Sequence, residues 1–123
     1  MAVVISHQIK KREFKKGIIP SRDLDTILKS FQGGIFTLIK GKDLPRGSRL
    51  IKIYATTIQG ARRIIFLVDV ESNDAFFLMY RSKNDTVGKN VSIQNSDFRK
   101  LLHTYLELLA SDIDTDNVDV YEI

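Results

Sequence analysis

Three apolar segments separated by short polar turns constrain this chain more than any other feature of its sequence. They are LIKIYATT at 50–57, RRIIFLVDV at 62–70 and AFFLMYRSK at 75–83. Their β-branched and aromatic residues favour strands. The connections at Gln59–Gly60 and at 71–74 are short enough for hairpins. Strands that follow one another through such turns pair antiparallel, so this part of the chain predicts a β-meander.

Two helical patterns flank the meander. Apolar residues recur at i, i+3, i+4 and i+7 within 22–32, which predicts an amphipathic helix there with Ser21 as its N-cap. Gly33–Gly34 is expected to end this helix. A second apolar stripe starts at Phe98 and predicts a C-terminal helix with Ser96 as its N-cap.

Two shorter apolar segments complete the pattern. VVI at 3–5 can form a short strand, and IFTLI at 35–39 can form either a strand or a second short helix. Elements of these types, in a chain of 123 residues, predict one small α+β domain. The expected architecture is one or more N-terminal helices, an antiparallel sheet of three to four strands, and a C-terminal helix that covers one sheet face.

Charge is distributed unevenly along the chain, whose net charge is +4. The domain at 1–110 holds all nineteen basic residues against ten acids, a net charge of +9, whereas the tail at 111–123 holds five acids and no Lys or Arg. A domain this basic attracts polyanions such as RNA, although the same charge can serve solubility alone. The acidic tail can be disordered, can add an edge strand, or can fold back over the basic surface and screen it.

Several classes of function are disfavoured by the composition. The chain has no cysteine, so we expect no disulfide, no thiolate nucleophile and no cysteine-based metal site. Its two histidines, His7 and His103, lie far apart, and no phosphate-binding glycine motif is present, so neither a metal nor a cofactor is expected. No apolar run reaches the roughly 18 residues that span a bilayer. We therefore expect a cytoplasmic protein that does not bind membranes.

A set of cations lies on the predicted strands. Lys52 is on the first strand, Arg62 and Arg63 open the second, and Arg81 and Lys83 close the third. The start of one antiparallel strand lies beside the end of the next, so most of these side chains should meet at one end of the sheet. Because side chains alternate between faces, Arg81 and Lys83 should share a face that only one of the two adjacent arginines can join.

Other residues add to this candidate RNA- or ribosome-binding surface. Tyr54 and Tyr80 lie near the cations, and a tyrosine can stack on an unpaired base. Lys10, Lys11 and Arg12 form a further basic run near the N-terminus. Each of these residues alone is equally well explained as a solvated surface position. The collection of cations from several strands at one sheet end favours a function for the group.

The order of these segments resembles the RelE/ParE superfamily of bacterial toxins, and its HigB-like branch in particular. The resemblance rests on Lys52 in LIKIYATT and on Gly60 and Arg63 in GARRIIFLVD. It also rests on the aromatic-rich strand that ends in Lys83, and on NVS at 90–92 before a helix. It implies a RelE-like fold for the domain.

The resemblance, over residues 20–110, implies the toxin of a type II toxin–antitoxin system. Such a toxin is a metal-independent endoribonuclease that cleaves mRNA on the ribosome, inhibits translation, and is held inactive by a cognate antitoxin through which it can oligomerise. The family uses Arg, Lys and Tyr side chains to assist attack of a ribose 2′-hydroxyl on the adjacent phosphate. The implied catalytic residues here are Arg63, Lys52 and Lys83. The implied RNA- or ribosome-binding residues are Arg62, Arg81, Tyr80, Tyr54, Lys10, Lys11 and Arg12.

Two alternatives stay open at this point. The same fold supports ParE-like toxins, which inhibit gyrase by binding it and cut no RNA. A basic α+β domain can also be a non-catalytic module that binds RNA or the ribosome.

Overall fold

The computed structural model describes all 123 residues as three helices, one 3₁₀ turn and a six-stranded mixed sheet. The strands are β1 (Ala2–Ser6), β2 (Phe36–Ile39), β3 (Ser48–Thr57), β4 (Gly60–Asp69), β5 (Ala75–Ser82) and β6 (Val118–Glu122). The helices are α1 (His7–Glu13), α2 (Ser21–Gly33) and α3 (Ser96–Asp114), and the 3₁₀ turn is Lys15–Gly17. The α+β class is confirmed.

The sheet order is β2-β3-β4-β5-β1-β6. The antiparallel meander is confirmed, and it comprises four strands because 36–39 forms β2. The prediction of a sheet with only three to four antiparallel strands is wrong, since β1 joins β5 in parallel and β6 joins β1 antiparallel. These last pairings join the beginning of the chain to its middle and its end, so no local turn signals them. Every residue of β1 is buried, as an interior strand requires.

Both N-cap assignments made from the sequence are wrong by one residue. Ser21 is the first residue of α2, and Pro20 takes the cap position without a side-chain hydrogen bond. The side chain of Asn95, and not that of Ser96, accepts the hydrogen bond from the Asp97 backbone N–H at the start of α3. Asn is among the best capping residues because its short side-chain carbonyl reaches this free donor.

The acidic tail is ordered by two elements. Residues 111–114 complete α3, and 118–122 form β6 against β1, the edge strand that the sequence offered as one of several outcomes. No helix in the structure combines the length and apolar character needed to cross a membrane.

The two faces of the sheet carry different helices. On one face, the rings of Phe31 in α2 and Phe66 in β4 lie 5.4 Å apart. On the other face, Leu106 and Leu109 of α3 border the same cavity as Leu67 of β4. Since successive strand residues point to opposite faces, Phe66 and Leu67 define an α2 face and an α3 face.

Candidate nucleic-acid interface

The adjacent arginines at the start of β4 are divided between the two faces of the sheet. Arg63 lies opposite Tyr54 of β3 and Arg81 of β5, whereas Arg62 lies opposite Ala55 and Ser82. Strand alternation from Leu67 places Arg63 on the α3 face and Arg62 on the α2 face. The expectation that only one arginine of the pair can join Arg81 therefore agrees with the register, and that arginine is Arg63.

Three side chains on the α3 face form what we call the tyrosine cluster: Lys52, Tyr54 and Arg63. The Arg63 guanidinium carbon lies 4.1 Å from the centroid of the Tyr54 ring, and Lys52 Nζ lies 5.2 Å from it. Tyr54 is 56% exposed. Neither cation forms an ion pair with a carboxylate. The cluster therefore presents an aromatic ring and two unneutralised charges to solvent, a combination that binds unpaired nucleotides well.

Arg81 reaches the same face but is engaged within the protein. It donates hydrogen bonds to Glu13 through Nε and through Nη2, the latter 2.5 Å from Oε2, and its Nη1 lies 3.3 Å from Asp85 Oδ2. The Glu13 side chain is fully buried and also accepts hydrogen bonds from the Tyr105 hydroxyl and the Tyr80 backbone N–H. We call this arrangement the Glu13 network. It holds the end of α1 against β5 and α3, so Arg81 is not brought into the tyrosine cluster as a free cation.

The Glu13 network also shifts the protonation of its members. Burial would lower the pKa of Arg81, but Glu13 and Asp85 outweigh burial and raise it. Burial and the neighbouring Glu13 carboxylate both raise the pKa of Tyr105 well above the usual phenol value. Arg81 is thus charged and Tyr105 neutral near pH 7, which suits a structural role for both.

Tyr80 and Arg62 lie together on the α2 face. The Tyr80 hydroxyl donates to Asp23 at 2.9 Å, and the Arg62 guanidinium carbon lies 5.9 Å from the centroid of the Tyr80 ring. Burial, followed by the nearby Asp23 carboxylate, raises the pKa of Tyr80 to about 12. Both side chains line a groove of about 760 Å³ that also contains Lys15. The structure therefore separates these two predicted binding residues from the tyrosine cluster by the thickness of the sheet.

The other predicted residues are dispersed. β5 ends at Ser82, so Lys83 lies in the turn beyond it and not in the predicted strand. Lys83 is exposed, and its backbone N–H donates to the carbonyl of Ala61 at 3.4 Å, which places it beside the start of β4.

The basic run lies on α1. Lys10 forms an ion pair of 2.8 Å with Asp119, whereas Lys11 and Arg12 are exposed and form none. β6, which carries Asp119, is four strands away from β3, or about 19 Å at the usual strand spacing. Lys10 is therefore not part of the tyrosine cluster.

The C-terminal segment is tied to the other end of the sheet, and we call this region the C-terminal junction. Asp112 is buried and accepts hydrogen bonds from Ser6 Oγ, from the backbone and side-chain nitrogens of Gln8, and from Asn117 Nδ2. Burial would raise the pKa of Asp112, but these hydrogen bonds outweigh it and lower the pKa to about 2. The acidic tail does not screen the tyrosine cluster, because β6 pairs with β1 at the edge remote from β3. It neutralises only Lys10 of the predicted basic surface, through Asp119.

Sequence reasoning missed both the Glu13 network and the C-terminal junction. Each joins residues that are far apart along the chain, and only the path of α1 brings them together.

No group of His, Cys, Asp and Glu side chains in the structure could hold a metal ion. Comparison with protein-family models, curated proteins and solved structures finds no match for this chain.

Proposed function

We propose that this protein is an RNA-cleaving toxin of the RelE/ParE type, a metal-independent endoribonuclease that cuts mRNA on the ribosome and thereby inhibits translation. Its partners are then mRNA, the ribosome and a cognate antitoxin. The observation that carries the proposal is the tyrosine cluster. Its exposed aromatic ring lies beside two cations that no carboxylate of the protein neutralises.

Cleavage of RNA without a metal proceeds through the ribose 2′-oxygen. A bond forms between this oxygen and phosphorus, and the bond from phosphorus to the 5′-oxygen of the next nucleotide breaks. The 2′-hydroxyl gives up its proton to a base, and the leaving 5′-oxygen receives a proton from an acid. The products are a 2′,3′-cyclic phosphate and a 5′-hydroxyl.

The tyrosine cluster supplies the phosphate-binding group and one proton-transfer group of this step, and water serves for the other proton. The Arg63 guanidinium can bind two phosphate oxygens at once and stabilise the charge of the phosphorane. Lys52 supplies a nitrogen for proton transfer on the same face. Tyr54 supplies the ring on which a base can stack. Lys83, exposed beside the start of β4, supplies a further cation for the flanking phosphate.

The adjacent arginines give a matched pair of variants for the test. Induced expression of the wild-type protein should arrest growth and leave cut messages. Arg63→Ala should relieve both effects, because loss of one donor to a transition-state oxyanion typically lowers a rate by about 10²- to 10³-fold. Arg62→Ala removes the same charge from the opposite face and should leave message cleavage within a few-fold of wild type. The reverse result, or equal toxicity of the Arg63 variant, would show that the site is wrong.

A non-catalytic RNA- or ribosome-binding module is the second candidate. It is favoured by the composition of the tyrosine cluster, which contains cations and a phenol but no carboxylate or imidazole. These groups suffice for binding phosphate and bases. Primer extension on messages recovered after induction separates the two candidates, since only the toxin generates new 5′ ends that disappear in the Arg63 variant.

A further inference from the structure

A second basic groove lies between the loop that connects β2 to β3 and the first half of α3. It has a volume of about 440 Å³, and we call it the helix groove. Its only acidic lining residue is Asp43. Its basic lining residues are Lys42, Arg99, Lys100 and His103.

Most of the positive charge in the helix groove is not used by the protein. Lys42 and Lys100 form no ion pair. Arg99 donates one hydrogen bond, from Nη1 to the carbonyl of Ile93 at 2.7 Å, and keeps its other donors. Only His103 has a carboxylate partner, Glu107, at 2.9 Å on the exposed side of α3. The groove therefore resembles the tyrosine cluster in presenting unneutralised cations.

The helix groove and the tyrosine cluster belong to the same side of the sheet. The second half of α3 borders Leu67, which lies toward the end of β4 remote from Arg63. The first half of α3, which lines the groove, consequently lies nearer the strand ends that carry the cluster. Lys42 follows the last residue of β2 by three positions, and β2 pairs directly with β3. Chain geometry then keeps the Cα atom of Lys42 within roughly 25 Å of that of Lys52.

We propose that the helix groove is a second RNA subsite, which binds backbone phosphates of the same RNA strand that the tyrosine cluster engages. This inference rests on the proposed function. Single-stranded nucleic acids occupy sites of about 4 to 16 nucleotides on small domains, so one strand can cover both places. Lysine side chains are flexible point charges, which neutralise successive phosphates without demanding a particular base sequence. The groove thus sets the length of RNA that is held, while the cluster contacts the nucleotides at the site of cleavage.

The test measures binding of RNA by the full chain at several salt concentrations. The probes are fluorescein-labelled 2′-O-methyl RNAs of 12 and 4 nucleotides, which cannot be cut through a 2′-hydroxyl. The variant is Lys42→Ala with Lys100→Ala. The matched control is Lys15→Ala with Arg22→Ala, which removes the same charge from the 3₁₀ turn and from α2 on the opposite face.

We expect the groove variant to flatten the plot of log K against log salt by about 1.4 for the 12-nucleotide RNA, the value for two lost phosphate contacts on a single strand. Its affinity for the 4-nucleotide RNA should stay within about twofold of the control variant. The inference is overturned if the 12-nucleotide slope of the groove variant matches that of the control.

The same titration separates this inference from the proposed function. If Arg63→Ala weakens binding of both RNAs but the groove variant behaves like the control, the helix groove is not a subsite and the proposed function stands. If the wild-type protein binds neither RNA, both proposals fail.

Discussion

The tyrosine cluster and the region around α1 use the same kinds of side chain in opposite ways. In the cluster, Lys52 and Arg63 border an exposed ring and have no carboxylate partner. Around α1, Lys10 is paired with Asp119, and Arg81 is paired with the buried Glu13. Lys10 and Arg81 hold elements of the fold together through these ion pairs. Lys52 and Arg63 take part in no such pair and border only the exposed ring.

The largest effect on stability should follow from removing the buried carboxylate near α1. Glu13→Ala leaves Arg81 without its main partner and removes the acceptor used by Tyr105 and the Tyr80 N–H. Loss of one partner of a buried pair costs about 3–5 kcal/mol, and because Arg81 keeps some exposure we expect about 3 kcal/mol. Urea denaturation measures this loss in the free energy of unfolding. Glu71→Ala, at an exposed turn, should change the free energy of unfolding by less than about 0.5 kcal/mol.

A smaller loss is expected at the C-terminal junction. Asp112→Asn keeps the shape of the side chain but removes the charge that accepts hydrogen bonds from Ser6, Gln8 and Asn117. We expect a loss of about 2 kcal/mol at pH 7, in the range of hydrogen bonds to charged groups. If the loss of stability in Asp112→Asn is as small as that in Glu71→Ala, the Asp112 charge does not hold the junction together.

The pH dependence at the junction has a defined sign. The pKa of Asp112 is lowered to about 2 in the folded protein, against about 3.9 for an unperturbed Asp. Its contribution is therefore fully present above pH 4 and is lost as the pH falls from about 4 to about 2. Thermal unfolding across this interval should show a steeper loss of stability in wild type than in Asp112→Asn.

His7 should give a weaker effect of opposite sign. Its hydrogen bond to Asp119, helped by Asn117 and opposed by burial, raises the pKa of His7. Its contribution is therefore present below about pH 6.5 and is lost as the pH rises through the raised folded pKa. For this partly exposed pair we expect about 0.5 kcal/mol, which His7→Gln should abolish. Denaturant midpoints at pH 5.5 and 8.5 measure it, and a midpoint difference that persists in His7→Gln would assign the effect to another group.

The smallest effect on stability is expected in the tyrosine cluster, where the effect on binding should be large. Tyr54→Ala should change the free energy of unfolding by less than about 0.5 kcal/mol because the ring is exposed. The Tyr54→Ala variant should bind single-stranded RNA less favourably by about 1–3 kcal/mol, the contribution typical of one stacked base. Thr56→Ala, an exposed neighbour on the same face of β3, is the control for both measurements. If Tyr54→Ala instead lowers stability like Glu13→Ala, the distinction between the two regions fails.

Local patterns were enough to predict the parts of the fold that depend on neighbouring segments. The meander follows from strand propensity and short turns, and the division of Arg62 from Arg63 follows from strand alternation. The pairing of Arg63 with Tyr54 is a consequence of the tight hairpin between β3 and β4, in which Thr57 pairs with Gly60.

The contacts that the sequence did not predict depend on the position of α1 in the fold. In the sequence Arg81 is predicted to contact RNA, as Arg63 is, because both are cations at strand ends. Only the folded position of Glu13, 68 residues earlier, distinguishes them. The capping error at α3 has a different origin, since Asn95 and Ser96 are both good capping residues and sequence does not rank adjacent candidates finely.

The position of β1 between β5 and β6 fixes the order in which the sheet can be completed. The meander joins segments that follow one another closely, so it can form early, whereas β1 needs residue 75 on one side and residues 118–122 on the other. Contacts between such distant parts of a chain form slowly because a large loop must close first. During synthesis β1 can pair with β5 on one side, but its other edge stays unpaired until residues 118–122 are available. A chain truncated before residue 118 would therefore keep an open, aggregation-prone edge on β1.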